Sequence, residues 1–241
     1  MLAALYVEIR KLNRSLALLL AIAAPTLIGI FTFFNMLRGR APMPWDMWLS
    51  GASAIWAFFM LPMSVTALTA LVAHMEHGPK AWDHLRALPR PRWTIYAAKA
   101  ICVLGLVALM SVLNLAVSVG AVILAGEVKS VVAASGDLSV TAQLVTVGKI
   151  WLAGLLLVAI QFWIALRFSS FVPALAVGIG GTFFSVVATT ARAGVFFPWQ
   201  MPINMLATEA WRVQTALGLG AGLGVVALLL AVAHLSAREV R

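Results

Sequence analysis

His74, Glu76, His77, Asp83 and His84 bring imidazole and carboxylate side chains into one short stretch. Divalent metals accept such ligands, and a site needs three or four of them converging. No cysteine stands nearby and no HExxH pair is present. The histidines read more simply as interfacial residues at a helix end, and no metal site is assigned. Other chemistry is missing too. There is no GxxxxGK[ST] loop, so ATP is not held in the Walker fashion. The glycine runs GIGG (Gly178 to Gly181) and GLGAGLG (Gly218 to Gly224) lie inside apolar stretches with no strand before them, which excludes a dinucleotide fingerprint. They suit close helix packing at Gly178, Gly181, Gly218 and Gly222, with Gly220 and Gly224 as a second small-xxx-small pair. Glycine merely tolerated in a membrane helix explains them equally well. Cys102 is the one cysteine, so no intrachain disulfide forms. No catalytic constellation emerges, and the chain is read as a non-enzyme with no cofactor of its own.

The elements that carry these residues are mostly apolar. Of 241 residues, 63% are hydrophobic and 10% charged, against about a quarter charged in soluble domains. The bilayer is the expected solvent, and the net charge of +9 marks membrane topology rather than nucleic-acid binding. The fold class is all-α and polytopic. Six spans of about 20 apolar residues each are expected: near residues 15–36, 49–73, 97–125, 147–166, 172–191 and 215–235. The whole chain, 1–241, forms one transmembrane domain. Eleven of the 17 Lys and Arg residues fall on one side if the N-terminus is inside, which places both termini in the cytoplasm. No ionisable relay sits mid-span, and Asn114, Gln161 and Ser/Thr residues are the main polar groups there.

Residues 1–14 place Leu2, Leu5, Ile9, Leu12 and then Leu16 at helical spacing, with Glu8, Arg10, Lys11 and Arg14 between them. This pattern fits an amphipathic helix lying in the inner interface. Glu127 to Gln143 is expected to be an exposed or partly disordered outer loop. Residues 192–214 mix proline with Phe, Trp and Met, which suits a re-entrant or interfacial piece or an aromatic belt.

The most polar stretch runs from Glu76 to Lys99, and segment 76–96 is read as a cytoplasmic element between the second and third spans. Pro79 can open a helix. Ala81, Trp82, Leu85 and Leu88 then share one face, while Lys80, Asp83, His84 and Arg86 fall elsewhere. Pro89 and Pro91 stop it. Trp93 and Tyr96 are expected as interface anchors at the return to the bilayer. Positive-inside topology alone explains the charge but not the apolar face. A short, proline-bracketed helix suits docking of a soluble partner.

The pattern E-x-G-x-K-x-W-x-x-L-R-x-L-P-R-x-R-W-x-I-Y-x-A-K resembles the same stretch of ABC-2 type permeases, most closely the lantibiotic-immunity and bacitracin-type branch. QFWIALRFSSFVPALAVGIGG (Gln161 to Gly181) and the ending HLSAREVR are similar to that branch as well. The resemblance implies a bacterial cytoplasmic membrane and a coupling helix that docks on a separate cytoplasmic ABC ATPase, which binds ATP and Mg. It also implies a second permease copy or a related permease, and export of an amphipathic peptide, antibiotic or lipid-like molecule. The carried-over positions are Glu76, Lys80, Leu85, Leu88, Pro89, Arg92 and Lys99. Trp82 and Leu85 are then the plugs of an ATPase groove, with Arg86 and Arg90 at its rim, and Glu76 caps or pairs near the base of the second span. The second proline in LRALPRPR departs from the pattern and tightens the turn after the helix. A membrane scaffold or assembly factor without transport remains the alternative, since it too needs no ionisable relay.

Overall fold

A computed structural model describes residues 1–77, 91–189 and 191–237 of the chain. Among these residues the fold is helical, with no strand beyond an isolated bridge between Pro44 and Ser135. Helix α1 (Leu2–Leu12) is followed by α2 (Leu16–Leu37). Helix α3 (Trp45–Ile55) passes through a π-turn (Trp56–Met60) into α4 (Leu61–His77). The long α5 (Arg92–Val128) comes next, then α6 (Val140–Ala153) and α7 (Leu155–Arg167). Helix α8 (Val172–Ala188) precedes an irregular stretch, and α9 (Ala210–Gly218) continues through a second π-turn (Leu219–Leu223) into α10 (Gly224–Ala237).

Four helical stretches are long and apolar enough to cross a membrane: Leu16–Leu37, Trp45–Glu76, Arg92–Val128 and Ala210–Ala237. Helices α6 and α7 make a fifth if the pair, bent by 42°, is one span. Helix α8 has 17 residues, about 25 Å at 1.5 Å per residue and short of a 30 Å hydrocarbon core. Six expected apolar segments are therefore present as helices, but four or five meet the length of a span. The outward faces carry Leu19, Leu27, Phe31, Leu109, Leu124, Phe183 and Leu229, all exposed. In a soluble protein so much exposed apolar surface would be an association hazard; toward lipid it is the expected face.

Local sequence explains the irregularities. Pro62 has no N–H to give the carbonyl four residues back, and its ring crowds that carbonyl. The helix widens just before it, so that the Leu61 N–H reaches the Trp56 carbonyl across a π-turn. The bend between α6 and α7 falls at Gly154. Helix α10 comes close to that break because Gly220 and Gly224 have no side chains. A Cβ at Gly220 would collide with the Ala153 backbone, and one at Gly224 would lie 2.6 Å from the Leu156 nitrogen.

The end of the bundle opposite α1 is tied by loops. Glu127 lies within α5, and a short 3-10 turn (Ser130–Val132) buries Val132. Lys129 Nζ donates to the carbonyls of Leu37 and Gly39, at 3.0 and 2.8 Å. Ser135 exchanges backbone hydrogen bonds with Met43 and Trp45. The expected loose loop over Glu127 to Gln143 is thus a short, tied connection. Residues 191–209 fold into two 3-10 turns (Arg192–Phe196 and Ile203–Leu206). Trp199, Met201 and Met205 from this stretch join the main core rather than a belt at the rim. Gln200 donates to the Ser185 carbonyl, Asn204 donates to the Gln200 carbonyl, and Arg212 donates to Asn204.

Candidate functional site

The charged stretch singled out by sequence meets the rest of the molecule at the α1 end of the bundle. Helix α1 ends at Asn13, and Arg14 adopts a left-handed φ of 60° that turns the chain. Ser15 then caps α2 by accepting from the Leu18 N–H. This turn lays α1 against the start of α5. Its protein-facing side is Leu5, Glu8, Lys11 and Leu12, while Leu2, Tyr6, Val7 and Ile9 face outward. The expected amphipathic helix exists, but Glu8 and Lys11 point into the protein instead of toward water.

Those two residues meet Glu76, at the end of α4, and Lys99, two turns into α5. Lys99 Nζ donates to Glu76 Oε1 at 2.6 Å and to Glu8 Oε2 at 2.7 Å. Lys11 Nζ donates to Glu76 Oε1 at 2.7 Å and to Glu8 Oε1 at 2.9 Å. Each ammonium contacts both carboxylates, and the four charges cancel. Glu76 and Lys99 are each only 1% exposed. Burying such charges is tolerated only because every one is paired and hydrogen-bonded. The clamp joins three elements, α1, α4 and α5, through residues 65 and 91 positions apart in the chain.

Lys11 lies outside the spans. Burial works against its ammonium, but hydrogen bonds to Glu76 and Glu8 and their charges outweigh it and hold its pKa above the ordinary 10.5. A lysine raised by folding adds stability that is fully present below its unfolded pKa and lost as pH rises through its folded one. Thermal unfolding of the purified chain should therefore show a stability loss above pH 10.5 that Lys11→Met removes, and no Lys11-dependent slope near neutrality.

Glu76 and Lys99 of the clamp stand on either side of the segment expected to dock a partner. Lys80, Trp82, Leu85, Arg86, Leu88, Pro89 and Arg90 lie outside the described residues, as do Asp83 and His84. Glu76 sits just before that stretch, and Pro91 and Arg92 follow it. Arg92 is exposed at the first turn of α5, and Trp93 is half-exposed. Tyr96 is a correction: it is buried in the core, one turn deeper than an interface anchor. Glu76 pairs at the base of the second span, and Lys99 pairs with it. Their charged ends are buried against each other and against α1 rather than exposed beside residues 78–90. The same pairing takes the Glu76 carboxylate away from any metal.

The glycines also sort themselves. A Cβ at Gly178 would collide with Thr66 of α4, and one at Gly181 with the Trp199 ring. Gly218 and Gly222 meet nothing within 4 Å, so the close-packing pair of the last helix is Gly220 and Gly224. Gln161, fully buried, ties α7 to α8: its amide, oriented to satisfy both ends, donates to the Ala174 carbonyl at 3.2 Å and accepts from the Gly178 N–H at 3.0 Å.

Sequence reasoning missed the partnership of Glu8 and Lys11 with Glu76 and Lys99. One signal was available. Lys99 sits in the apolar run AAKAI, and an ionisable residue within a membrane helix demands a partner.

A family model described as ABC-2 family transporter protein matches residues 4–188. The chain belongs to the ABC-2 transporter family. No curated protein and no solved structure matches it. The ABC-2 match begins within α1 and ends with α8, so it includes all four residues of the clamp. As an ABC-2 family member the chain is a membrane component without an ATPase site of its own. Helix α10 and the HLSAREVR ending lie beyond the matched residues.

Proposed function

We propose that this chain is the permease subunit of an ATP-binding-cassette exporter, driven by a separate cytoplasmic ATPase that docks on residues 78–90. In this reading Trp82 and Leu85 plug an ATPase groove, and Lys80, Arg86, Leu88, Pro89, Arg90 and Arg92 surround it. ATP and Mg sit on the partner. Two permeases, alike or related, form the membrane unit, and each contributes six spans, with α6 and α7 as one and α8 as a short fifth. Both termini face the cytoplasm of a bacterial cell. The substrate class is an amphipathic peptide, antibiotic or lipid-like molecule, of the kind removed in lantibiotic immunity and antibiotic resistance.

The observation that carries this reading is the clamp. Force applied to a floppy loop is dissipated, but the ends of this segment are held by Glu76 and Lys99 and through them by α1. A push on residues 78–90 then moves α1, α4 and α5 together. The test is co-purification of the full chain with its ATPase, followed by ATPase activity across cationic peptides, antibiotics and lipids. Leu85→Asp is expected to abolish co-purification and export while leaving the permease folded, because it places a charge on the docking face. An intact chain that captures no ATPase, with export or resistance unchanged in Leu85→Asp, would replace this reading with a non-transporting scaffold.

A further inference from the structure

Helix α5 buries a row of polar side chains where a membrane helix ordinarily packs apolar ones. Ser111, Asn114 and Ser118 recur at steps of three and four residues, so they share one face, and each is at most 1% exposed. The first of them is satisfied. Ser111 Oγ donates to the Val107 carbonyl at 2.8 Å and accepts from Trp56 Nε1 at 3.1 Å. The next two are not: Asn114 Oδ1 and Ser118 Oγ have no hydrogen-bond partner among the described residues.

A third unpartnered group lies on α3, near the level of Ser118. The Trp56–Ser111 bond sets the register of α3 against α5, which run in opposite directions. Trp48 is eight residues from Trp56, and Ser118 is seven from Ser111, so both lie roughly 11–12 Å further along at 1.5 Å per residue. Packing agrees: Leu49 touches the Leu115 cluster, and Trp48 lies against the cluster of Val122 and Met36. Trp48 Nε1 is likewise buried without a partner among the described residues. The seam thus holds an indole donor, an amide acceptor and a hydroxyl that can do either, and no ionisable side chain contributes to the row. Buried polar atoms without partners are rare in folded proteins and call for an explanation.

We propose that the α3–α5 seam is a binding site for an uncharged hydrogen-bonding group, the amide or hydroxyl head of an amphipathic substrate. Access comes from movement of α3 at the π-turn Trp56–Met60, which directly adjoins the row and is the one break in that span. Wide turns of this kind are frequent at functional sites. The site has no charge to offer, so it selects amides and alcohols over ions. It deepens the transport reading above and rests on it for the identity of the ligand, but access to the seam is measurable without an ATPase.

The test uses the full chain in membrane vesicles with Cys102→Ser as background. Asn114→Cys and Ser118→Cys are treated with a small hydrophilic methanethiosulfonate. The controls are Met110→Cys, buried in the core, and Leu109→Cys, on the outward face. Both seam cysteines are expected to react faster than both controls. Lauroyl-glycinamide, an uncharged amide on an acyl chain, is expected to slow labelling of Ser118→Cys, and dodecyltrimethylammonium is expected not to. Adding Asn114→Leu should leave Ser118→Cys reactive and weaken the protection by about tenfold in concentration, the loss of one hydrogen bond. Seam cysteines no faster than the controls would overturn the proposal. Equal protection by both amphipaths would do so too, since it would report only the acyl chain. A chain that fails to bind an ATPase but still shows amide-selective protection would reject the transport drive and keep the site.

Discussion

Lys99→Met is expected to destabilise the chain by about 3–5 kcal/mol, the usual effect of removing one member of a buried ion pair. The substitution keeps the length and apolar stem of the side chain but takes away the ammonium that contacts Glu8 at 2.7 Å and Glu76 at 2.6 Å. Two carboxylates are then left facing one lysine, Lys11, in a largely buried setting. The measurement is urea or thermal unfolding of the purified chain in detergent, with limited proteolysis after residue 14 as a second readout of α1 docking. Glu8→Gln should cost less, because Lys99 keeps Glu76. The double variant Lys99→Met with Glu76→Met should cost clearly less than the sum of the single changes, since it removes opposite charges together. A Lys99→Met protein within about 1 kcal/mol of the parent would show that the clamp contributes little and that α1 is held by Leu5 and Leu12 alone. If residues 78–90 are the handle of an ATPase, the same variant should also uncouple ATP hydrolysis from export.

Gly178→Val is the second large expected effect. A Cβ there would overlap Thr66 on α4, where Thr66 Oγ1 already donates to the Pro62 carbonyl at 2.8 Å. Helices α4 and α8 must separate to admit the side chain, and forced overpacking of a core costs about 1–3 kcal/mol or more. Gln161 adds to this, because its hydrogen bond to the Gly178 N–H breaks if α8 shifts. Expression level and unfolding midpoint are the readouts. Thr66→Ala should rescue the variant only in part: it takes away the two nearest atoms but leaves a Cβ 2.6 Å from the new one. Gly180→Val, on the open face of the same helix, serves as the control and should be near neutral, since nothing lies within 4 Å of it. Equal behaviour of the Gly178 and Gly180 variants would disprove the close α4–α8 contact.

Much of the architecture was legible from composition and periodicity. A chain with this little charge must put apolar faces toward lipid, and the first, second, third and last apolar runs became long helices near the expected places. Pro91, read from sequence as the stop of the preceding helix, also caps α5, which begins at Arg92 rather than near Ala97. Pro62 equally fixed the site of a π-turn, although the expectation of a plain helix passed over it. The bend at Gly154 and the ordered turn at Ser130–Val132 were not foreseen, because both depend on what packs against them.

The four charges at the base show the boundary most clearly. Sequence alone determined that Glu8 and Lys11 lie on a helix, one turn apart, and that Glu76 and Lys99 flank a charged segment. It did not determine that they meet, since nothing local distinguishes a charge bound for water from one bound for a partner 65 or 91 residues away. Leu2 and Ile9 face outward, as an interfacial helix requires, but Glu8 and Lys11 turn to the protein rather than to water for the same reason. The glycines of the last helix repeat the lesson. Gly218 with Gly222, and Gly220 with Gly224, are identical as patterns, and the two pairs lie on nearly opposite faces of one helix. Only the position of Ala153 and Leu155 on the neighbouring span decided which pair must stay bare. Sequence sets the period and chemistry of each helix, while the choice among its faces is a tertiary property, fixed by which neighbour has the matching shape or charge.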